Sequence, residues 1–119
     1  MRAFPPLLFS GLLLLGSLAE AADPAPPDFK KDVLPVFEEK CIRCHGAKRK
    51  GGKLDMRTLE AMLEGGDTGP ALKPGNAKKS LLIELIHYKE MPPKKDASYV
   101  TPAELEMLRL WINSMPGKA

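Results

Sequence analysis

Within five positions, Cys41-Ile-Arg-Cys44-His45, lie both cysteines and one of the two histidines of a 119-residue chain. A chain of this length builds one modest core, and its 12 prolines and 10 glycines interrupt even that. The thiols therefore act as a pair or not at all. A disulfide is the first reading for two cysteines in an exported chain, but an adjacent Cys-x-x-Cys disulfide belongs beside a βαβ pattern. No alternating strand pattern occurs here, so the pair calls for another explanation.

Residues 1–22 read as an export signal. Arg2 supplies a positive start, Leu7 to Leu18 form an apolar stretch, and Ala19-Glu20-Ala21 is a small-residue cleavage site. Cleavage is expected after Ala21 or Ala22, which makes the protein periplasmic or otherwise exported. The competing reading is an uncleaved membrane anchor over Ala3 to Ala22, weakened by Pro5, Pro6, Gly11, Gly16 and Glu20. No cysteine stands at the cleavage point, which argues against a lipoprotein. Residues 23–27 form a proline-rich lead and 28–119 a single domain. The 18 basic and 15 acidic residues give a net charge of +3, unchanged by loss of Arg2 and Glu20 together. So mild a charge, with lysines spread among acids and few aromatics, supports neither nucleic-acid binding nor firm membrane adhesion. The cluster Lys48, Arg49, Lys50 and Lys53 is either a solvated loop or a docking patch for an acidic partner. The stretch Ala47–Gly52 reads as a flexible exit from the cysteine motif.

From Asp28 onward four helical segments are expected and the fold class is all-α. Phe29, Val33, Phe37 and Cys41 recur every four residues along a first helix, with Pro35 marking either its true start or a kink. A short segment over Thr58–Glu64 stops at Gly65-Gly66. A third covers Ala77–His87 behind Asn76 as its cap, with Leu81, Leu82, Leu85 and Ile86 as its apolar surface. "GGDTGPALKPG", residues 65–75, is a loop by composition. The last helix opens on Thr101-Pro102-Ala103-Glu104, a capping box with proline at the first helical position. It carries Leu105, Leu108 and Ile112 as a stripe, with Leu110 and Trp111 alongside, until Pro116-Gly117.

The pattern C-x-x-C-H is that of covalent haem attachment. Two thiols three residues apart can add to the vinyl groups on one side of a porphyrin, and the next residue places an imidazole under the iron. Cys41 and Cys44 would hold haem c, one per chain, with His45 as proximal ligand. The rival is a structural zinc site from Cys41, Cys44, His45 and His87, whose spacing is unlike that of a finger. For the far face of the iron, His87 and Met91 both come into question, as does an open site. Met91 opens "MPPKK", a proline-stiffened extended stretch, whereas His87 ends an amphipathic helix. Met56, Met62, Met107 and Met115 are better explained as core filling.

Taken in order, "DVLPVFEEKCIRCHG", "GGDTGPALKPG", "SLLIELI", "MPP" and "LRLWI" resemble the planctomycete-type cytochrome c domain, a class I c-type cytochrome, over Phe29 to Met115. The resemblance implies a class I fold in which the N- and C-terminal helices cross, here through Phe37 and the Leu108–Trp111 region. It implies Met91 as the distal iron ligand. It also implies that the carbonyl of Pro70 accepts a hydrogen bond from the outer ring nitrogen of His45. Such modules often belong to much larger chains, so only the module's properties carry over.

The function expected is that of an electron carrier rather than an enzyme: an exported monohaem cytochrome passing single electrons between redox protein partners. An apolar sheath of Val33, Phe37, Leu54, Leu72, Leu81, Leu85, Leu108 and Trp111 would bury the ring and, with methionine on the iron, raise its potential. The alternative is a haem peroxidase or gas sensor with a labile distal site and a polar group such as His87 beside it. A haem-free zinc or scaffold module is the third reading.

Overall fold

The computed structural model describes residues 24–94 and 99–117, with positions 2, 3, 6, 11 and 16 besides. The expected export signal lies otherwise outside the described residues. Among those described no strand forms, and only the isolated bridges His45/Lys50 and Gly66/Gly69 pair extended backbone. The architecture is all-α. No helix among the described residues is long and apolar enough to cross a membrane.

Pro35 divides the first helical stretch. A π-helical turn covers Phe29–Val33 and is followed by helix α1, Leu34–Lys40, with Pro35 in its first turn. Proline offers no N–H to the carbonyl four residues back, and its ring crowds that carbonyl. The wider register just upstream relieves both demands. Asp28 secures the entry, its carboxylate accepting the Lys31 N–H at 2.7 Å.

Helix α2, Leu59–Glu64, is capped by Thr58 and ends at Gly65. The third expected helix is broken in two: a 3-10 turn, Ala77–Lys79, precedes helix α3, Leu81–His87. Ser80 makes the break. Its hydroxyl donates to Asn76 O at 2.8 Å and accepts from Lys73 N at 2.8 Å, so the side chain satisfies backbone groups that helix would otherwise claim. Helix α4, Pro102–Ser114, begins with the full capping box at Thr101 and Glu104.

The helices meet at Trp111. Its ring stacks on Phe29, with centroids 5.6 Å apart, and receives the edge of Phe37 at 6.0 Å. Contacts of this kind add about 0.5–1.5 kcal/mol each beyond the area they bury. Phe37, Leu108 and Ile112 are fully buried beside it. Leu110, placed alongside that stripe by its sequence, is instead 53% exposed. Two residues of helix rotate it some 200° from Leu108. The methionines divide as core fillers should, Met56 and Met62 buried, Met107 and Met115 packed against the core.

A polar tie reinforces the aromatic one. Lys40, last in α1, donates to Glu104 Oε2 and, at 2.8 Å, to Tyr99 O. The same carboxylate oxygen accepts the Thr101 N–H at 2.9 Å. Partial burial works to raise the pKa of Glu104, but the bonds from Lys40 and Thr101 outweigh it and hold the carboxyl below its ordinary 4.5. A carboxylate so depressed stabilises the fold above its unfolded pKa and loses that contribution as pH falls through its folded value. Glu104→Gln should therefore lower the melting temperature at neutral pH by the equivalent of about 1–2 kcal/mol. Thermal melts from pH 7 to pH 3 should bring the two proteins together below about pH 4.5; a constant gap would disprove the ionic contribution.

Candidate functional site

Helix α1 ends at Lys40 and delivers the motif directly into a tight turn. The N–H groups of Cys44 and His45 return to Cys41 O at 3.1 and 2.9 Å. Expected to be a flexible exit, residues 47–52 are instead part of a loop folded back on the motif. Gly46 N donates to Arg49 O at 2.7 Å, Gly51 N to Cys44 O at 2.7 Å, and Lys50 pairs with His45. These bonds fold the loop back on the cysteine motif.

That shape orients the imidazole. His45 Nδ1 lies 2.9 Å from Gly51 O. A carbonyl can only accept, so Nδ1 carries the proton and Nε2 is left with the lone pair that a metal requires. The carbonyl belongs to Gly51 and not to Pro70, as the resemblance implied. Pro70 is exposed and stands in a segment committed elsewhere, where Gly66 pairs with Gly69 and Ala71 N donates to Met62 O at 2.9 Å. The folded-back loop supplies a nearer acceptor. Gly51 suits the role because it has no side chain: a Cβ there would stand 3.3 Å from both His45 Cε1 and Cys44 O.

Cys41, Cys44 and His45 border one cavity of about 600 Å³, well within the range of cofactor sites. Its other walls are largely apolar. Leu54, Met56, Ala71, Leu81, Leu82, Leu85 and Ile86 form them, with Met91, Pro92 and Pro93 also at the border. Helix α3 is apolar on more than one side because it separates this cavity from the core. Ile83 goes to the core alone, while Leu82 and Ile86 serve both. Of the expected sheath, only Leu54, Leu81 and Leu85 border the cavity; Val33, Phe37, Leu72, Leu108 and Trp111 form the core behind it.

Met91 reaches the cavity by a turn and not by an extended run. Lys89 adopts φ +58°, Glu90 N and Met91 N both donate to Leu85 O at 2.8 and 3.1 Å, and the Met91–Pro92 peptide is cis. His87 is exposed, rests its ring against Tyr88 at 5.0 Å and is absent from the cavity walls. The zinc set of Cys41, Cys44, His45 and His87 is thus not brought together. Among the described residues no three His, Cys, Asp or Glu side chains form a metal-binding group.

The thiols are free and differ in surroundings. Burial pushes Cys41 up to about 12, with Lys40 pulling the other way and Cys44 and Glu104 adding to the rise. It is a protonated thiol at neutral pH. Cys44 Sγ faces Arg49 Nη1 at 3.9 Å. Arg43 and Arg49 also border the cavity, and Lys48 is exposed in the loop beyond them. Lys53 pairs with Asp67 at 3.4 Å, and Lys50 lies 3.9 Å from Asp55. Arg57 grips Asp55 and holds its carboxyl down at about 2.

Sequence reasoning missed Gly51, the cavity face of Met56, and the Lys40–Glu104 tie. Only Gly51 left a trace, as half of a glycine pair a few residues past a histidine. A Gly51→Ala substitution should crowd the imidazole and speed solvent exchange of the His45 ring N–H about fivefold, the equivalent of ~1 kcal/mol of lost hydrogen bond. ¹⁵N-histidine NMR measures it. Pro70→Ala should leave the exchange unchanged, and the opposite ranking would return the role to Pro70.

Two thiols and an imidazole with a free Nε2, set at one wall of an apolar cavity, suit a covalently tethered porphyrin, whose ring needs apolar walls and whose iron needs a nitrogen ligand. No curated protein and no solved structure gives a significant match to the chain. Family models do give one. Residues 41–95 match the family model described as planctomycete cytochrome C, which supports a planctomycete-type cytochrome c domain over that stretch.

Proposed function

We propose that this protein is an exported monohaem c-type cytochrome that carries single electrons between redox partners. The observation that supports the reading most is the convergence of Cys41, Cys44, His45 and Met91 on one largely apolar cavity, although Met91 lies 46 positions beyond His45 in the sequence. Haem held there supplies a one-electron couple. Cys41 and Cys44 tether the ring as thioethers. His45 would offer its Nε2 lone pair to the iron, with Gly51 O fixing the tautomer. Met91 would offer its thioether sulfur to the iron. Iron held by His45 and Met91 together would have both ligands from the protein and would serve to carry charge. Seating of Phe29 and Phe37 on α4 supports a class I arrangement of the terminal helices.

A peroxidase or sensor would use a polar group over the iron. His87, the residue considered for that role, lies against Tyr88 and off the cavity wall. Residues 1–22 fit an export signal, which would bring the chain to the compartment where haem c is commonly attached. Arg43 and Arg49 at the cavity border and the exposed Lys48 beyond them, set against Glu39 at the same border, favour an acidic redox partner.

Purified exported protein tests this reading. Its intact mass should equal the chain from Ala22 or Asp23 onward plus one haem, and a mass without haem would refute the proposal. Met91→Ala should abolish the weak long-wavelength absorption band of the oxidised protein and lower the potential; an unaltered spectrum would remove Met91 from the iron. Reaction with an anionic oxidant such as ferricyanide should slow as salt rises and the Debye length shortens from about 30 Å at 0.01 M to about 10 Å at 0.1 M, and neutralising Lys48 and Arg49 together should flatten that dependence. If the salt response survives the double substitution intact, the docking patch lies elsewhere.

A further inference from the structure

One charged pair abuts the cavity and takes no part in the ligation above. Lys40 immediately precedes Cys41 and is itself a cavity-wall residue, yet its side chain is only 7% exposed. An ammonium so withdrawn from water persists only if it is paired and hydrogen-bonded. Glu104 Oε2 and Tyr99 O supply those partners. Glu104 is not itself a wall residue and reaches the cavity only through its bond to Lys40.

Charges shielded from water act across short distances through a low effective dielectric. Adding an electron to a centre in the cavity is helped by a nearby cation and opposed by a nearby anion. We propose that Lys40 and Glu104 form a tuning pair, in which Glu104 holds the ammonium at the cavity wall and offsets its charge, so that helix α4 sets the reduction potential of the centre held by Cys41, Cys44 and His45. This rests on the cytochrome reading of the site. Support comes from Cys41, whose thiol is influenced by both members of the pair and in opposite senses, Lys40 lowering its pKa and Glu104 raising it. Both charges are therefore felt at the wall where the ring would be tethered.

The experiment is a potentiometric titration of the haem-loaded protein and of Lys40→Met, Glu104→Gln and the double variant, with far-UV circular dichroism as the check on folding. Glu104→Gln should shift the potential up and Lys40→Met should shift it down. The double variant should return toward the wild-type value. Glu104→Gln keeps an acceptor oxygen for Lys40 and Thr101, so it carries the test by itself should Lys40→Met fail to fold, with the charge-retaining Glu104→Asp expected near wild type. Unchanged potentials in folded variants, or shifts of the two single variants in the same direction, would overturn the tuning role. A wild-type chain that takes up no haem would instead overturn the cytochrome reading itself.

Discussion

Trp111 is the contact on which the rest of the molecule depends. Phe29 stacks on it from before the Pro35 break, and Phe37 meets it edge-on from after the break. Because both sides of the break are held by one ring, the end of α1 has a defined position against α4. Lys40 and Glu104 then secure the last residue before Cys41. A cysteine motif on a free helix end would sweep through space, whereas here the motif is delivered to one wall of one cavity.

The cavity has a division of labour that follows from size. With so few residues, the chain cannot devote one layer to a core and another to a ligand sheath. Helix α3 does both, sending Ile83 inward and Leu81 and Leu85 to the cavity. Met56 likewise is 2% exposed and still borders the cavity. Substitutions in α3 would consequently disturb folding and ligand environment together. The glycines of the neighbouring loops allow equally close economy: a Cβ on Gly66 would fall 2.2 Å from Gly52 O, so the loop that follows α2 can cross the loop that follows His45 only with no side chain between them.

Much of this was legible beforehand, and the reasons are local. The Thr101 capping box, the stop at Gly65 and the role of Asn76 as a cap are read from neighbours three residues apart, and each is found where expected. The two readings of Pro35 resolve into a π-turn and a helix start. Other expectations failed where a distant or unforeseen bond took over. Ser80 breaks the third segment because Lys73 and Asn76 claim its hydroxyl. Leu110 turns to solvent because α4 has one partner face. The loop after His45 looked mobile by composition, since glycines and lysines are what loose loops contain, yet its backbone bonds close on Cys44 and Gly46.

By itself the sequence determined the chemistry of one wall: two thiols and an imidazole within five residues can be arranged in few ways, because their separation is set by the chain that joins them. It determined helix caps and all-α character for the same reason. Tertiary structure alone decided the acceptor on His45, where Gly51 displaces Pro70, and which of two candidate side chains borders the cavity, Met91 and not His87. Those outcomes turn on which of several chemically suitable groups the folded backbone brings within bonding distance. That is a property of the whole packing arrangement, to which residues far apart in sequence contribute together.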